Sequence, residues 1–216
     1  MTDALTDAQI ETIVRRLKAE LAPRPCANCR GSSVVVEPAA PEPIETPGPA
    51  PGPLPDLPAD WNAPPVSGRD GIYPDLDRAA AASQRAFRDL DALALEKRCA
   101  IVAAIRAAMR ANAGLLARMA HEETGLGRYE DKVQKNLLVI EKTPGPEILQ
   151  PLAWTGDHGL ALVERAPYGV FGVITPVTNP TSTIINNAIG LISAGNTAVF
   201  NVHPSAKKVS TYQIQL

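Results

Sequence analysis

The sequence predicts an α/β fold, and three observations lead to that prediction. Apolar residues at helical spacing extend from residue 75 to residue 142. After Gly159 the pattern changes to short apolar runs bounded by glycine and proline, which is typical of buried strands. Two of these runs, Val170–Ile174 and residues 197–200, enclose a helical stretch. A strand, a helix and a strand in this order predict a parallel pair joined by a right-handed crossover.

The bulk composition argues against several functional classes. The 216 residues carry a net charge of −2 with a pI near 5.9, which gives no reason to expect nucleic acid or an anionic membrane as a partner. No apolar run reaches the length of a membrane span, and no signal peptide is visible. The three cysteines are too few for a disulfide scaffold, and they predict a reducing, cytoplasmic setting.

The chain contains one pair of closely spaced cysteines. Cys26 and Cys29 form a single CxxC pair with no second pair and no nearby histidine. Two incidental thiols are therefore favoured, and no metal ligand is predicted in this chain. A metal shared between two chains is the alternative interpretation.

The first 69 residues predict a docking helix followed by a linker. In residues 1–22, Thr6 and Gln9 fit a capping box, and apolar residues share one helical face. Such a short helix is marginal alone, so residues 6–21 are expected to dock on a partner, with packing back on the body as the alternative. Residues 23–69 are rich in proline, and no basic residue lies between Arg30 and Arg69. This composition predicts a disordered linker.

The body, residues 70–216, opens with four predicted helices. Asp75 is the expected N-cap of the first, which extends to about residue 87. The second covers residues 95–112 and contains Cys99, which we expect to serve packing rather than chemistry. The third ends at Gly125 as its C′ residue, and the His121, Glu122 and Glu123 group before it is interpreted as a solvated helix end. The fourth carries the apolar residues Val133, Leu137, Leu138 and Ile140 and ends at Pro144-Gly145-Pro146.

The strand region predicts where a ligand would bind. Residues 160–163 and Val170–Ile174 are predicted strands, residues 183–193 a helix, and residues 197–200 a strand. The carboxyl ends of the two parallel strands, residues 175–180 and 201–205, should lie on one edge, where open α/β sheets bind ligands. The first of these segments, TPVTNP, is a stiff turn because proline fixes φ and removes a backbone donor. With no GxGxxG and no Walker loop, these features predict a nucleotide- or ligand-binding half-domain without specifying a reaction.

A resemblance to a known family implies which reaction this ligand-binding region serves. The stretch APYGVFGVITPVTNPTSTIINNAIGLISAGNTAVFNVHPSAKKVS resembles the NAD-binding region of the aldehyde dehydrogenase superfamily, within its CoA-acylating branch of microcompartment propionaldehyde and acetaldehyde dehydrogenases. EETGLGRYEDKVQKNLLVIEKTPG and AWTGDHGLALVE resemble the same branch. The resemblance implies a Rossmann-like cofactor domain with a leading helical region, NAD as cofactor, CoA and a short-chain aldehyde as substrates, and a homo-oligomer when full length. The helix on a linker resembles encapsulation peptides, which implies a shell protein as partner and a place inside a bacterial microcompartment.

The resemblance also implies which residues form the site. The family motif is proline, aromatic, asparagine, aromatic, proline; here Pro176 and Pro180 match, Val177 replaces the first aromatic, and Thr178 takes the asparagine position with Asn179 next to it. Either Thr178 or Asn179 is the candidate oxyanion donor, and capping of the following helix by Asn179 is a competing role. The family's Lys-Pro-Ser corresponds to His203-Pro204-Ser205. The implied cofactor-binding residues are Thr175, Pro176, Val177, Thr178, Asn201, His203, Pro204 and Ser205.

The implied mechanism needs a nucleophile that this chain does not place. In the family a cysteine thiolate attacks the aldehyde, hydride passes to NAD, and CoA takes the resulting thioester. None of Cys26, Cys29 and Cys99 matches that cysteine, which lies further downstream in the family. We therefore expect an N-terminal portion that is inactive alone, from a truncated gene or a partial sequence. A non-catalytic, shell-docking interaction protein is the alternative. Ser205 is the expected N-cap of a last helix, whose apolar face carries Val209, Tyr212 and Leu216.

Overall fold

The structure is a computed structural model that describes residues 54–61 and 71–216. The predicted docking helix 1–22, the Cys26–Cys29 pair and most of the predicted linker lie outside the described residues. The described part is mixed α/β, which confirms the predicted fold class. Its helices are α1 (Leu76–Asp91), α2 (Leu95–Ala111), α3 (Ala113–Thr124), α4 (Tyr129–Lys142), α5 (Pro180–Ser193) and α6 (Lys207–Gln215), and its strands are β1 (Leu152–Gly156), β2 (Gly159–Val163), β3 (Val170–Ile174) and β4 (Thr197–Asn201).

The starts and ends of the first helices follow from local chemistry. Asp75 caps α1, because its Oδ1 accepts a hydrogen bond of 2.8 Å from the backbone N–H of Arg78. The helix then extends four residues past the predicted end at residue 87 and stops at Asp91. Gly125 ends α3 with φ of 66°, a left-handed conformation that glycine adopts without the penalty a Cβ would bring. Both the predicted N-cap and the predicted C′ glycine are thus confirmed.

The core lies where α2, α3, α4, α5 and α6 meet. Helix α3 is central, since Leu116, Met119 and Ala120 are fully buried. Ile140 of α4, together with Ile185, Ile189 and Val209 from α5 and α6, completes the same cluster. Leu138 lies on α4 as predicted, but it is 48% exposed and outside this cluster. The buried face of α4 includes Asn136, four residues before Ile140 and three after Val133.

Strands β1 and β2 form an antiparallel hairpin in which Leu152 pairs with Val163 and Gly156 with Gly159. The sequence pattern predicts β2 but not β1. Every residue of the hairpin is exposed, including the large apolar side chains Trp154, Leu160 and Leu162. Because neither face is buried, β1 lacks the alternation of apolar and polar residues by which a half-buried strand is found in a sequence.

Strands β3 and β4 form the predicted parallel pair. Val170 lies opposite Thr197, and Ile174 lies opposite Asn201, so both strands end at the same edge. At the opposite edge, the buried side chain of Asn196 accepts hydrogen bonds from the backbone N–H groups of Tyr168 (2.6 Å) and Gly169 (2.9 Å). This amide ties the residues just before β3 to the turn just before β4. It thereby helps to fix the register of the two strands.

Residues 54–61 pack on the helical body, although they fall within the predicted linker. Leu57 and Trp61 contact the core cluster. A guanidinium N–H of Arg118, on α3, donates to the carbonyl oxygen of Pro55. The ammonium of Lys208 lies 5.3 Å from the ring centroid of Trp61, within cation–π distance. For these eight residues the prediction of disorder does not hold, because the tryptophan and leucine give them apolar surface to bury.

The start of α6 differs from its prediction. The N-cap residue is Ala206, which makes no side-chain cap, and Ser205 lies in a 3₁₀ turn, Pro204–Ala206. The cap comes from α3 instead: the carboxylate of Glu123 accepts hydrogen bonds of 2.8 Å from the backbone N–H groups of Lys208 and Val209. Ser205 as N-cap is therefore wrong, and so is the interpretation of Glu123 as a solvated helix end. On the predicted apolar face Val209 is fully buried, whereas Leu216 is exposed.

Cys99 is exposed on α2, so the expectation that it serves packing is wrong.

Among residues 54–61 and 71–216, no single helix combines the length and apolar character of a membrane span. Helices α2 and α3 have both only when taken together, across a bend of 63°.

Candidate functional site

The TPVTNP segment begins where β3 ends, and it is fixed to β4 at once. The backbone N–H of Thr175 donates a 3.1 Å hydrogen bond to the carbonyl oxygen of Asn201, which extends the parallel ladder by one step. Thr175 is 2% exposed, and its hydroxyl has no partner among the described residues. The following Pro176 is exposed and Val177 half-buried. The two predicted cofactor segments are therefore adjacent at the first residue of TPVTNP.

The second proline of the segment starts helix α5. Pro180 is buried at the first helical position, where its missing N–H removes no intrahelical hydrogen bond. The carbonyl oxygen of Asn179 accepts the first such bond, 3.1 Å from the N–H of Thr183. The Asn179 side chain does not cap the helix. Asn179 is thus the N-cap residue of α5, as the competing interpretation predicts, but it caps through its backbone alone, and its side-chain amide is available for other contacts.

Helix α4 holds the end of this segment through two consecutive residues. The ammonium of Lys135 donates to Oδ1 of Asn179. Next to it, the fully buried Asn136 accepts a 2.8 Å hydrogen bond from the hydroxyl of Thr181 and donates at 3.3 Å to the carbonyl oxygen of Ala113. Because Asn136 has partners on both sides of its amide, it ties α3, α4 and the first turn of α5 together.

Thr178 has a different environment from Asn179. It is exposed, and its hydroxyl makes no hydrogen bond within residues 54–61 and 71–216. Both candidate oxyanion donors are accessible, but only the Asn179 side chain is held by a neighbour. The two candidates therefore do not differ in exposure to solvent. They differ in whether a neighbouring side chain fixes the donor in place.

The second predicted cofactor segment follows β4. Asn201 is exposed, and His203 is half-buried with its Nδ1 accepting a 3.1 Å hydrogen bond from the backbone N–H of Ser205. Since Nδ1 is the acceptor, a neutral ring carries its proton on Nε2. Pro204 and Ser205 are exposed in the 3₁₀ turn that precedes α6. The predicted site residues are thus arranged as two segments along one sheet edge.

Helix α4 brings one positive charge to the TPVTNP segment, through the contact of Lys135 with Asn179. Lys132 lies one helical turn before Lys135 and Asn136, is only 4% exposed, and forms no ion pair among the described residues. Burial lowers the pKa of the Lys132 ammonium, and the nearby charge of Lys135 lowers this pKa further. No aspartate or glutamate occurs in residues 175–180 or 201–205. An anionic ligand at this edge therefore meets no opposing charge from these two segments.

We expect Lys132→Met to stabilise the protein at pH 7 by about 1 kcal/mol, because it removes a buried, unpaired charge while keeping the length of the side chain. A lowered native-state pKa means that the charge destabilises fully below that pKa. As the pH rises toward the ordinary lysine pKa, the native state loses its proton first, so the penalty fades. Urea unfolding at pH 7 and pH 10 should show the advantage shrinking. Lys142→Met, an exposed position on α4, is the matched control, and a less stable Lys132→Met variant would contradict the account.

The residues predicted from the sequence do not include Lys132, Lys135 and Asn136. A signal for Asn136 is present, because it falls between Val133 and Ile140 at spacings of three and four on the apolar face of α4. A polar residue on such a face predicts a buried hydrogen bond. The contact of Lys135 with Asn179 joins residues 44 positions apart and leaves no local signature.

Comparison with known proteins decides the family. The profile of the aldehyde dehydrogenase family matches residues 67–216. The chain belongs to this family. This aldehyde dehydrogenase chain is 47% identical over 146 residues to an acetaldehyde dehydrogenase (acetylating) of Bilophila wadsworthia, an alignment that covers 68% of the chain and 30% of the relative.

Solved structures give the same assignment. A propionaldehyde dehydrogenase from the fucose utilisation bacterial microcompartment of Clostridium phytofermentans is 47% identical with a TM-score of 0.65, covering 67% of this chain and 33% of that one. A propionaldehyde dehydrogenase of Rhodopseudomonas palustris, with bound CoA and an acylated cysteine, is 44% identical with a TM-score of 0.66, covering 68% and 34%. This aldehyde dehydrogenase chain spans about a third of the length of the relatives it matches.

The described part of this aldehyde dehydrogenase chain contains no cluster of side chains suited to bind a metal ion. Within residues 54–61 and 71–216, no three His, Cys, Asp or Glu side chains come together as metal ligands. Cys26 and Cys29 lie outside these residues. The site is thus a sheet edge with polar and cationic side chains.

Proposed function

We propose that this chain is the N-terminal part of an NAD-dependent, CoA-acylating aldehyde dehydrogenase of a bacterial microcompartment, converting aldehyde, CoA and NAD to acyl-CoA and NADH. The observation that carries the proposal is the parallel edge that brings Thr175 and Asn201 together, in a family domain whose relatives are acylating dehydrogenases. NADP in place of NAD is the alternative cofactor, and repeating the assay below with NADP instead of NAD distinguishes the two.

The residues at the edge fit a dinucleotide. A ribose needs hydroxyl donors and acceptors, and Ser205 and the imidazole of His203 offer them beside β4. A pyrophosphate is negatively charged and would be repelled by nearby carboxylates. Residues 175–180 and 201–205 contain no aspartate or glutamate. The buried Thr175 hydroxyl without a partner is a further free polar group at the edge. We propose that Thr175, Pro176, Val177, Thr178, Asn201, His203, Pro204 and Ser205 hold the cofactor, which when bound supplies hydride acceptance.

The chain's own contribution to the chemistry is electrostatic. When a thiolate adds to an aldehyde, the carbonyl oxygen becomes an oxyanion, and donors fixed in advance stabilise it. The exposed Asn179 amide and Thr178 hydroxyl are the candidate donors. His203 in place of the family's lysine lacks a long cationic tether, which suits a site that releases one nucleotide and admits CoA.

The nucleophile is proposed to come from the part of the enzyme that the relatives have beyond the region matched here. Cys99 is exposed on α2, and neither it nor Cys26 nor Cys29 matches the family nucleophile. We therefore propose that the 216 residues alone bind nucleotide but do not oxidise aldehyde. Residues 70–216 are the cofactor part, residues 23–69 the linker and residues 1–22 the docking helix in this proposal, and the complete enzyme is a homo-oligomer.

The assay that tests the function compares the 216-residue chain with the complete enzyme. NADH formation is followed by absorbance with propionaldehyde or acetaldehyde, with and without CoA. We expect the complete enzyme to form acyl-CoA only when CoA is present, and the chain alone to show no turnover. Equal rates without CoA, with free acid as product, would assign the enzyme to the hydrolytic branch instead.

A second prediction concerns the head of the chain. If residues 1–22 dock on a shell protein, their deletion should abolish co-purification with shell proteins while leaving CoA-dependent turnover unchanged, because the cofactor domain starts 48 residues later. Substitution of Ile13 and Leu17 by aspartate disrupts the same apolar face without shortening the chain, and should have the same effect. Undiminished co-purification of both variants would remove the docking role.

A further inference from the structure

We propose that Lys135 is a positioning residue of the active site: its ammonium fixes the Asn179 amide so that the amide N–H₂ group is the donor offered to the oxyanion. The inference rests on the proposed function and deepens it, since it selects Asn179 over Thr178. It assigns a role to a residue on α4, a helix that carries none of the predicted cofactor residues.

The orientation of the amide follows from the chemistry of its partner. An asparagine side chain has an oxygen that accepts and a nitrogen that donates, and the two ends differ little in shape. A lysine ammonium has three donors and no acceptor. The atom of Asn179 that faces Lys135 must therefore be Oδ1, as observed. With Oδ1 engaged by Lys135, Nδ2 lies at the other end of the planar amide and points away from this contact.

The freed donor has no competing partner. Within the described residues, the Nδ2 group of Asn179 makes no hydrogen bond, and Asn179 is exposed. The backbone of Asn179 is held separately, by the bond from the N–H of Thr183 to its carbonyl oxygen. A side chain fixed at one end, with two unoccupied N–H donors at the other, is what a preorganised oxyanion site requires.

The helix backbone that carries Lys135 is held in place by hydrogen bonds of its neighbours. Asn136, next to Lys135, bonds both Thr181 and the carbonyl oxygen of Ala113. The amide of Gln213, on α6, donates at 3.0 Å to the carbonyl oxygen of Thr181, on the far side of the same turn. These bonds fix α4 against the first turn of α5, so Lys135 reaches Asn179 from a rigid backbone.

The charge of Lys135 adds to the effect of the hydrogen bond. A charged donor makes a stronger hydrogen bond than a neutral one, and it polarises the amide so that its N–H groups donate more strongly. Thr178 has no such partner among the described residues. Lys135 thus distinguishes the two neighbouring donors, which sequence alone leaves equivalent.

The test uses the complete enzyme and steady-state kinetics for aldehyde, NAD and CoA. Lys135→Met should lower kcat by about 10- to 100-fold, somewhat less than removal of an oxyanion donor, with KM values changed by no more than about twofold. Lys135→Arg retains charged donors and should restore most of the rate. Lys142→Met makes the same change on an exposed position of α4 and should behave as wild type.

A double-mutant cycle shows whether Lys135 acts through Asn179. The variant Lys135→Met with Asn179→Ala should be no slower than Asn179→Ala alone, whereas Lys135→Met with Thr178→Ala should show the product of the two single effects. Multiplicative losses with Asn179→Ala, or an unchanged kcat in Lys135→Met, would overturn the inference. If Lys135→Met fails to fold, Lys135→Leu, which likewise offers no donor to Asn179, is used in the same cycle. Wild-type turnover that depends on CoA tests the proposed function separately, so the two failures are distinguishable.

Discussion

Asn179→Ala is expected to lower kcat of the complete enzyme by about 10²- to 10³-fold, the effect of removing one oxyanion donor. The physical reason is that the alanine variant leaves the developing negative charge without the amide that Lys135 holds in place. Binding of aldehyde in its ground state uses little of this interaction, so KM should change much less than kcat. Stopped-flow measurement of the first turnover separates this step from product release.

Thr178→Ala is the matched control for that experiment. Thr178 is the neighbouring residue, equally exposed, with a hydroxyl that nothing in the described part of the chain holds. We expect its loss to lower kcat by less than about tenfold, because a free hydroxyl must be ordered in the transition state. The reverse order, with Thr178→Ala the slower variant, would assign the oxyanion to the hydroxyl and leave Asn179 a structural role.

Glu123→Ala is expected to reduce the free energy of unfolding by about 3 kcal/mol, the largest effect on stability that we predict. Its carboxylate accepts two backbone hydrogen bonds at the start of α6, each of 2.8 Å. Charge-assisted bonds contribute about 1.5–3 kcal/mol each, and a negative charge at a helix N-terminus adds to them. The alanine variant leaves both N–H groups without this acceptor.

The adjacent residue, Glu122, provides the control. The stabilities of the Glu122→Ala and Glu123→Ala variants are measured side by side by urea unfolding. Glu122 is exposed, and its carboxylate lies 3.9 Å from the buried Nε of Arg118, too far for a hydrogen bond. Glu122→Ala should change stability by no more than about 0.5 kcal/mol. Equal losses in the two variants would mean that the α6 cap contributes little and that the effect is one of helix propensity. Glu123→Gln retains an acceptor oxygen and should fall between Glu123→Ala and wild type.

The sequence predicted the parts of the fold that depend on local chemistry or on a one-sided apolar pattern. Asp75, Gly125 and the strand at Val170–Ile174 belong to this group. The strand Leu152–Gly156 does not, because both of its faces are exposed and its residues follow no burial pattern. Ser205 was a reasonable N-cap by residue type, but a carboxylate from another helix satisfies those donors, and no local rule anticipates that.

The same distinction applies to the candidate site. Placement of residues 175–180 and 201–205 on one edge follows from the order strand, helix, strand, and the parallel register confirms it. The contribution of α4 could not be predicted in this way, since Lys135 and Asn179 meet only through tertiary packing. Family resemblance supplied the chemistry of the motif, whereas the choice between its two donors requires side-chain geometry.

The register of β3 and β4 limits how this region can change during evolution. Ile174 and Asn201 are paired, and the two predicted cofactor segments leave from those positions. Side chains alternate between the faces of a strand, so insertion or deletion of one residue within β4 would turn every following side chain of that strand to the opposite face. It would also move residues 201–205 by one step relative to Thr175. Length variation among natural homologues should therefore be absent from both strands and concentrated elsewhere, as in the turn between β1 and β2.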